Sequence, residues 1–167
     1  AVSKAVKQTL INQGVSPGKI RVIYNGTDRL TGDDSQKFGP RRYNGIFVFA
    51  QIGQLVPWKN NIAFIKAAGR VAAELPESGF MLVGDDIFGR NPDYKKTLLR
   101  YISSSPARDR FSVTGWRRDL PKLWKQIDCL VHTCKSEPFG RVIIEAMAHK
   151  VPVIAVDSCG PGEIIED

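Results

Sequence analysis

The sequence is poor in the residues that build metal centres and disulfide frameworks. Its 167 residues include three cysteines, two histidines and two methionines. Cys129, Cys134 and Cys159 are odd in number, and none is spaced as a zinc-ligand pair. They read as reduced, partly buried thiols of a cytosolic chain. His132 and His149 are too few and too far apart in sequence to suggest a metal site. No apolar run approaches the roughly 20 residues of a membrane helix. The opening Ala1-Val2-Ser3-Lys4 has no apolar stretch of the kind a secretory leader carries. Internal repeats and low-complexity segments are also missing. Acidic side chains are in deficit, 17 against 24 Lys and Arg, for a formal net charge of +7. That balance favours anionic partners, whether nucleotide phosphates, acidic lipid headgroups or nucleic acid.

What is present fits an ordinary globular domain: 43% hydrophobic and 25% charged residues. A chain of this length can bury roughly 70% of its unfolded surface. Ala1–Gln13 reads as a helix stopped by Gly14, and Ile20–Tyr24 as a short strand ending in the turn Asn25-Gly26. Thr31–Asn44 is polar, with Gly, Pro and two Arg, and reads as a linker. Beyond it, apolar runs at 46–52, 80–84, 110–115, 129–132 and 151–156 read as buried strands. Between them lie helical patterns: Phe64, Ala68, Val71 and Leu75 stopped by Pro76, with Asn60 or Asn61 as cap; a basic helix at 93–103; and a short helix at 119–126. Alternating strands and helices predict an α/β fold with a doubly wound parallel sheet. Ligands of such sheets bind at the carboxyl ends of the strands.

One stretch organises the rest: Ser136-Glu137-Pro138-Phe139-Gly140-Arg141-Val142-Ile143-Ile144-Glu145-Ala146-Met147-Ala148. Pro138 keeps Glu137 out of helix, so Glu137 belongs to the loop. Val142, Ile143, Ala146 and Met147 then mark an apolar helix face. This puts one carboxylate at the loop mouth, beside free N–H groups of a helix N-terminus, and a second, Glu145, deeper on the next turn. Taken singly, each glutamate is ordinarily solvent-facing. A glutamate within so apolar a helix needs a partner, however, and the spacing suits a long polar ligand better than a metal ion.

The run EPFGRVIIEAMA followed by PVIAVDSCGPGEII resembles the E-x7-E region of the retaining glycosyltransferases of the GT-B fold, family four, in their nucleotide-sugar-binding C-terminal half. The resemblance covers nearly the whole chain. It implies that 1–28 is the tail of a mostly absent N-terminal acceptor domain, with Ile23-Tyr24-Asn25-Gly26 and Asp28 matching its end. It further implies a linker at 29–44 and a Rossmann-like donor-binding domain at 45–167.

The same resemblance assigns roles. Glu137 and Lys59 are the expected catalytic pair. Gly53, Gln54, Lys59, Gly140 and Arg141 would hold the donor diphosphate, and Lys59 would neutralise the leaving group. Glu137, Phe139 and Gly140 would hold the donor sugar, and Glu145 the ribose hydroxyls. Trp116 and Arg117, after the third strand, would meet the nucleobase. Gly160–Glu163 would add an N–H nest near the diphosphate. The chain departs from the family pattern at Gln54, where arginine is usual, at Cys134, where serine is frequent, and at Cys159, where glycine is frequent. Gln54 can donate a hydrogen bond but brings no charge.

The expected function is therefore the donor-binding half of a glycosyltransferase that moves a hexosyl group from a nucleotide diphosphate sugar to an acceptor in polysaccharide or lipopolysaccharide synthesis. No cofactor and no metal are expected. The acceptor glycan or lipid-linked glycan would bind through the N-terminal domain. The setting would be cytoplasmic, with an anionic membrane surface as a candidate partner, and the isolated half would transfer poorly. Two other classes compete. One is a glycosidase using Glu137 and Glu145 as its carboxylate pair. The other is a non-catalytic basic module for nucleotides, anionic lipid or nucleic acid, although no nucleic-acid motif is present.

Overall fold

The structure is a computed structural model and describes residues 1–27 and 45–166. The linker expected at 29–44 and the match at Asp28 lie outside those residues. Helix α1 spans Lys4–Asn12. It starts three residues later than the sequence suggests because Ser3 caps it, accepting from the Val6 amide. The strand expected at Ile20–Tyr24 does not form: the segment has no regular secondary structure and joins no sheet among the described residues. Its Ile23 amide donates to the Ala1 carbonyl instead, and the Ile23 side chain is exposed.

Five strands follow: β1 (Phe47–Ile52), β2 (Ser78–Val83), β3 (Phe111–Gly115), β4 (Cys129–His132) and β5 (Val153–Ala155). All neighbours pair in parallel, in the order β3-β2-β1-β4-β5. The connecting helices are α2 (Asn61–Glu74), α3 (Pro92–Ser103), α4 (Leu120–Trp124) and α5 (Arg141–Ala148), with α6 (Pro161–Ile164) after β5. Proline within the first turn helps start α3, α4 and α6. Leu75, placed on the α2 stripe by periodicity, lies just past the helix and is half exposed, because the chain turns extended there ahead of Pro76. Strand β5 is shorter than its apolar run.

The sheet is covered on both faces, which is why its strands are nearly continuously apolar. Successive residues alternate between two cores. Phe49, Phe80 and Leu82 face α2 and α3, among Phe64, Ile65, Leu98 and Ile102. Ala50, Val83 and Leu130 face α4 and α5, among Trp124, Ile127, Ile143 and Ala146. Each large buried side chain contributes about 1.5–3 kcal/mol. Aromatic contacts concentrate in the first core, where Phe80 meets Phe49, Phe64 and Phe111. Asp128 extends the β1–β4 junction: its carboxylate accepts from the Val48 amide at 2.8 Å, and its own amide donates to Val48 O. The carboxyl ends of all strands consequently share one edge of the molecule.

Candidate donor-binding site

Two loops on that edge face one another, residues 53–60 after β1 and 133–140 after β4. Polar contacts fix their separation. Buried Gln51 donates to Thr133 Oγ1 at 2.8 Å and to Lys59 O at 3.2 Å. The Thr133 hydroxyl in turn donates to Asn60 O at 2.9 Å. Asn60 sits at the N-cap of α2 with left-handed backbone, but its side chain does not cap the helix. It donates across the gap to Thr133 O at 3.2 Å. The Cys134 thiol contacts Trp58 O at 3.3 Å. A 3-10 turn, Pro57–Lys59, carries Lys59 into the cleft on this scaffold.

Glu137 is buried, which reverses the expected depths: the loop carboxylate lies deeper than Glu145. It forms an ion pair with Lys59. The buried His132 Nε2 lies 3.2 Å from the same carboxylate oxygen without hydrogen-bond alignment. Burial pushes the Glu137 carboxyl up, but His132 and Lys59 outweigh it and hold the pKa at about 2. His132 ends β4, and its inward side is set by strand alternation. Its spacing to Glu137 gave no sign of the contact. Together with Cys134 these two residues place three metal-capable side chains within 4.8 Å of one another, contrary to the sequence reading, which found no such grouping. The Lys59 ammonium already occupies the Glu137 carboxylate, and it would repel a metal cation.

Glu145 on α5 is part-buried, 3.6 Å from Arg141 one turn earlier. Burial raises its pKa, with Arg141 opposing. Arg141 itself is largely exposed at the start of α5. In its first turn the Ile143 amide donates to Gly140 O at 2.9 Å, and Gly140, Arg141 and Val142, ahead of it, line the cleft.

A cleft of ≈ 550 Å³ gathers Gly53, Gln54, Lys59, Glu137, Phe139, Gly140, Arg141 and Glu145 on its walls, with Val2 and Asn25 from the N-terminal segment. Trp116 and Arg117 line an adjoining hollow of ≈ 210 Å³ that shares Ile52, Gly53 and Gln54 with the cleft. Trp116 is exposed, with Arg118 over its ring at 5.0 Å. Arg117 is held by both Asp119 carboxylate oxygens at 2.7 and 2.6 Å, so its guanidinium is not free to stack without giving up that pair. Gly84 lines the smaller hollow, and a Cβ there would lie 1.8 Å from Gly53 O. The nest expected at Gly160–Glu163 is partly engaged within the protein. The Gly160 amide donates to Glu137 O, and the Glu163 amide to Gly160 O.

A parallel sheet in this order, with a polar cleft against a helix N-terminus at its carboxyl edge, defines a Rossmann-like α/β fold. The sequence profile of glycosyl transferases group 1 matches residues 33–167, and the chain belongs to that family. It is 34% identical to HepE of Anabaena, whose crystal structure in complex with UDP-glucose superposes with a TM-score of 0.85 over 100% of this chain and 46% of that one. It is 26% identical, with a TM-score of 0.67, to the C-terminal domain of the group 1 glycosyl transferase LpcC from Francisella tularensis, covering 81% of this chain and 76% of that one. Among curated proteins it is 30% identical over 162 residues to the Escherichia coli UDP-Gal:alpha-D-GlcNAc-diphosphoundecaprenol alpha-1,3-galactosyltransferase, covering 92% of this chain and 40% of that enzyme. The fold is therefore that of the C-terminal half of a GT-B glycosyltransferase, and the chain spans less than half the length of HepE and of the galactosyltransferase. No helix among the described residues is long and apolar enough to cross a membrane.

Proposed function

We propose that the cleft binds a nucleotide diphosphate sugar and that the chain is the donor half of a retaining, metal-independent hexosyltransferase acting in polysaccharide or lipopolysaccharide synthesis. The observation that carries this reading is the Lys59–Glu137 pair at the base of the cleft, beside the α5 N-terminus. Lys59 would be shared between Glu137 and the donor diphosphate, neutralising charge as the sugar–phosphate bond breaks. The α5 amides and the loop around Gly140 would take phosphate and sugar oxygens. Glu137, ionised at neutral pH, would accept from sugar hydroxyls and place negative charge near the anomeric carbon. Glu145 would accept from the two ribose hydroxyls. The hollow at Trp116 would take the base.

Residues 1–28 would belong to the N-terminal acceptor domain and 45–167 to the donor domain, with a linker between them. A glycosidase is disfavoured because the chain belongs to the group 1 glycosyl transferases and because Lys59, which has no part in a two-carboxylate hydrolysis, is paired with Glu137. HepE is described with UDP-glucose bound, so UDP and UDP-glucose are the first probes. Calorimetric titration with these and with the GDP and ADP counterparts tests the proposal. Saturable binding of at least one, lost in Lys59→Ala, is expected. Absence of binding by every nucleotide sugar would refute it.

A further inference from the structure

Glu163 does not line the cleft, yet its carboxylate accepts three hydrogen bonds from the N-terminal segment. Its Oε2 accepts from the Lys4 amide at 2.8 Å and its Oε1 from the Ala5 amide at 2.7 Å. The Tyr24 hydroxyl donates to Oε2 at 3.1 Å. The first turn of α1 is thus capped twice, by its own Ser3 and by a carboxylate 158 residues beyond Ala5. A negative charge at a helix N-terminus is favourable as well as geometrically apt. Burial pushes the Glu163 carboxyl up, but the Lys4 and Ala5 amides and Tyr24 outweigh it, so its pKa is lowered.

Contacts continue on both sides of this carboxylate. The Tyr24 ring lies 5.9 Å from that of Phe139, centroid to centroid. Val2 and Asn25, next to the clamped residues, line the cleft. At the other end of α6, the Gly160 amide donates to Glu137 O at 3.0 Å, and a Cβ on Gly160 would lie 2.3 Å from Phe139 Cα. The α1 start, α6 and the loop 136–140 therefore form one unbroken path of contact that ends at Glu137.

The geometry points to Glu163 as a positioning residue for donor binding: it clamps residues 1–25 against the loop of Glu137 and Phe139 and so builds the outer wall of the cleft. The inference rests on the reading that the cleft holds a nucleotide sugar. In a GT-B enzyme this clamp would tie the segment from the acceptor side to the donor side through one carboxylate.

The test compares Glu163→Gln, Glu163→Asp and Ser3→Ala with the unaltered chain, by amide hydrogen exchange and by calorimetry with UDP-glucose. Glutamine offers one acceptor oxygen where the two amides need two, and turns an NH₂ toward a donor. Aspartate keeps both acceptors. Ser3→Ala weakens the same helix end but leaves Glu163 intact. Glu163→Gln should speed exchange at Lys4 and Ala5 by about tenfold or more. It should also weaken UDP-glucose binding by about tenfold. Glu163→Asp should recover much of both effects, and Ser3→Ala should leave affinity unchanged.

Faster exchange with unchanged affinity in Glu163→Gln would overturn the inference and leave the donor reading standing. Equal losses in Glu163→Gln and Ser3→Ala would reduce the clamp to general stability and overturn it too. No binding by the unaltered chain would sink the donor reading and the inference together. Should Glu163→Gln not fold, Tyr24→Phe keeps the ring beside Phe139 and deletes one contact to the carboxylate. It should weaken UDP-glucose by about threefold, and unchanged affinity would overturn the inference.

Discussion

Lys59 and Glu137 stand 78 residues apart in the chain and form an ion pair at the base of the cleft. With His132 behind it, the carboxylate is held at about 2 against an ordinary value of 4.5. A depressed carboxyl pKa stabilises the fold above the ordinary value, and the gain is lost as pH falls toward the folded one. The difference is worth about 3 kcal/mol. Stability in urea should therefore fall between about pH 4.5 and about pH 2, and Glu137→Gln should flatten that part of the profile. Parallel pH profiles for the two proteins would show that the pair does not carry this energy.

Glu145 behaves in the opposite sense. Burial raises its pKa, with Arg141 opposing, so its charged form is disfavoured in the fold and its loss should not weaken folding. Its proposed work is to accept from ribose hydroxyls. Glu145→Ala should weaken nucleotide binding by about 1.5–3 kcal/mol, the range for hydrogen bonds to charged groups. Affinity in the unaltered chain should fall as pH drops through the raised pKa. Calorimetry that finds equal affinity in a folded Glu145→Ala would remove this residue from the site.

Much of this was legible in the sequence because periodicity and punctuation are local signals. Buried parallel strands read as apolar runs, and Pro76 and Gly14 mark the ends of their helices. The loop–helix stretch from Glu137 to Glu145 was legible because Pro138 and the apolar face of α5 fix its geometry. Long-range partners were not legible. His132 looked like the end of a strand, and only the fold brings it to Glu137. Glu163 looked like part of an N–H nest, whereas its carboxylate caps a helix at the far end of the chain. Ile20–Tyr24 has the composition of a strand, but strand formation needs a neighbour to pair with, and none is present among the described residues. Asn60 has a capping side chain that the opposite loop takes instead.

The convergence of His132, Cys134 and Glu137 makes metal dependence a direct test. Lys59 pairs with the Glu137 carboxylate; in the proposed mechanism it would also serve the diphosphate, and charge balance would then need no divalent cation. Excess chelator should leave nucleotide affinity unchanged in calorimetry. A strict requirement for magnesium or manganese would contradict the proposed mechanism.

Gly84 links the fold to the site. A Cβ at this position would lie 1.8 Å from Gly53 O, and both residues are backbone at the contact, so no side chain can rotate away. The Gly53 amide also donates to Val83 O at 2.9 Å, fixing the loop that leads to Lys59. Gly84→Ala should displace that loop and cost about 1–3 kcal/mol of stability, as overpacking does. Nucleotide affinity should fall with it. A stable Gly84→Ala chain with full affinity would show that the Gly53 loop does not position the site.

The last prediction concerns turnover. The chain spans 46% of HepE and 40% of the galactosyltransferase, and the proposed site accounts only for the donor. Transfer also needs an acceptor hydroxyl held in line with the anomeric carbon. Holding two reactants in register is worth about 7–11 kcal/mol of barrier, and no group on the donor cleft is assigned to the acceptor. The 167-residue chain should therefore bind donor or nucleotide yet transfer sugar inefficiently, with at most slow hydrolysis of the donor. Incubation with nucleotide sugars and candidate glycan or lipid-linked acceptors, followed by mass spectrometry, measures this. Turnover near about one per second, within the ordinary range for enzymes, would show that these residues already hold both substrates and that the donor-half reading is wrong.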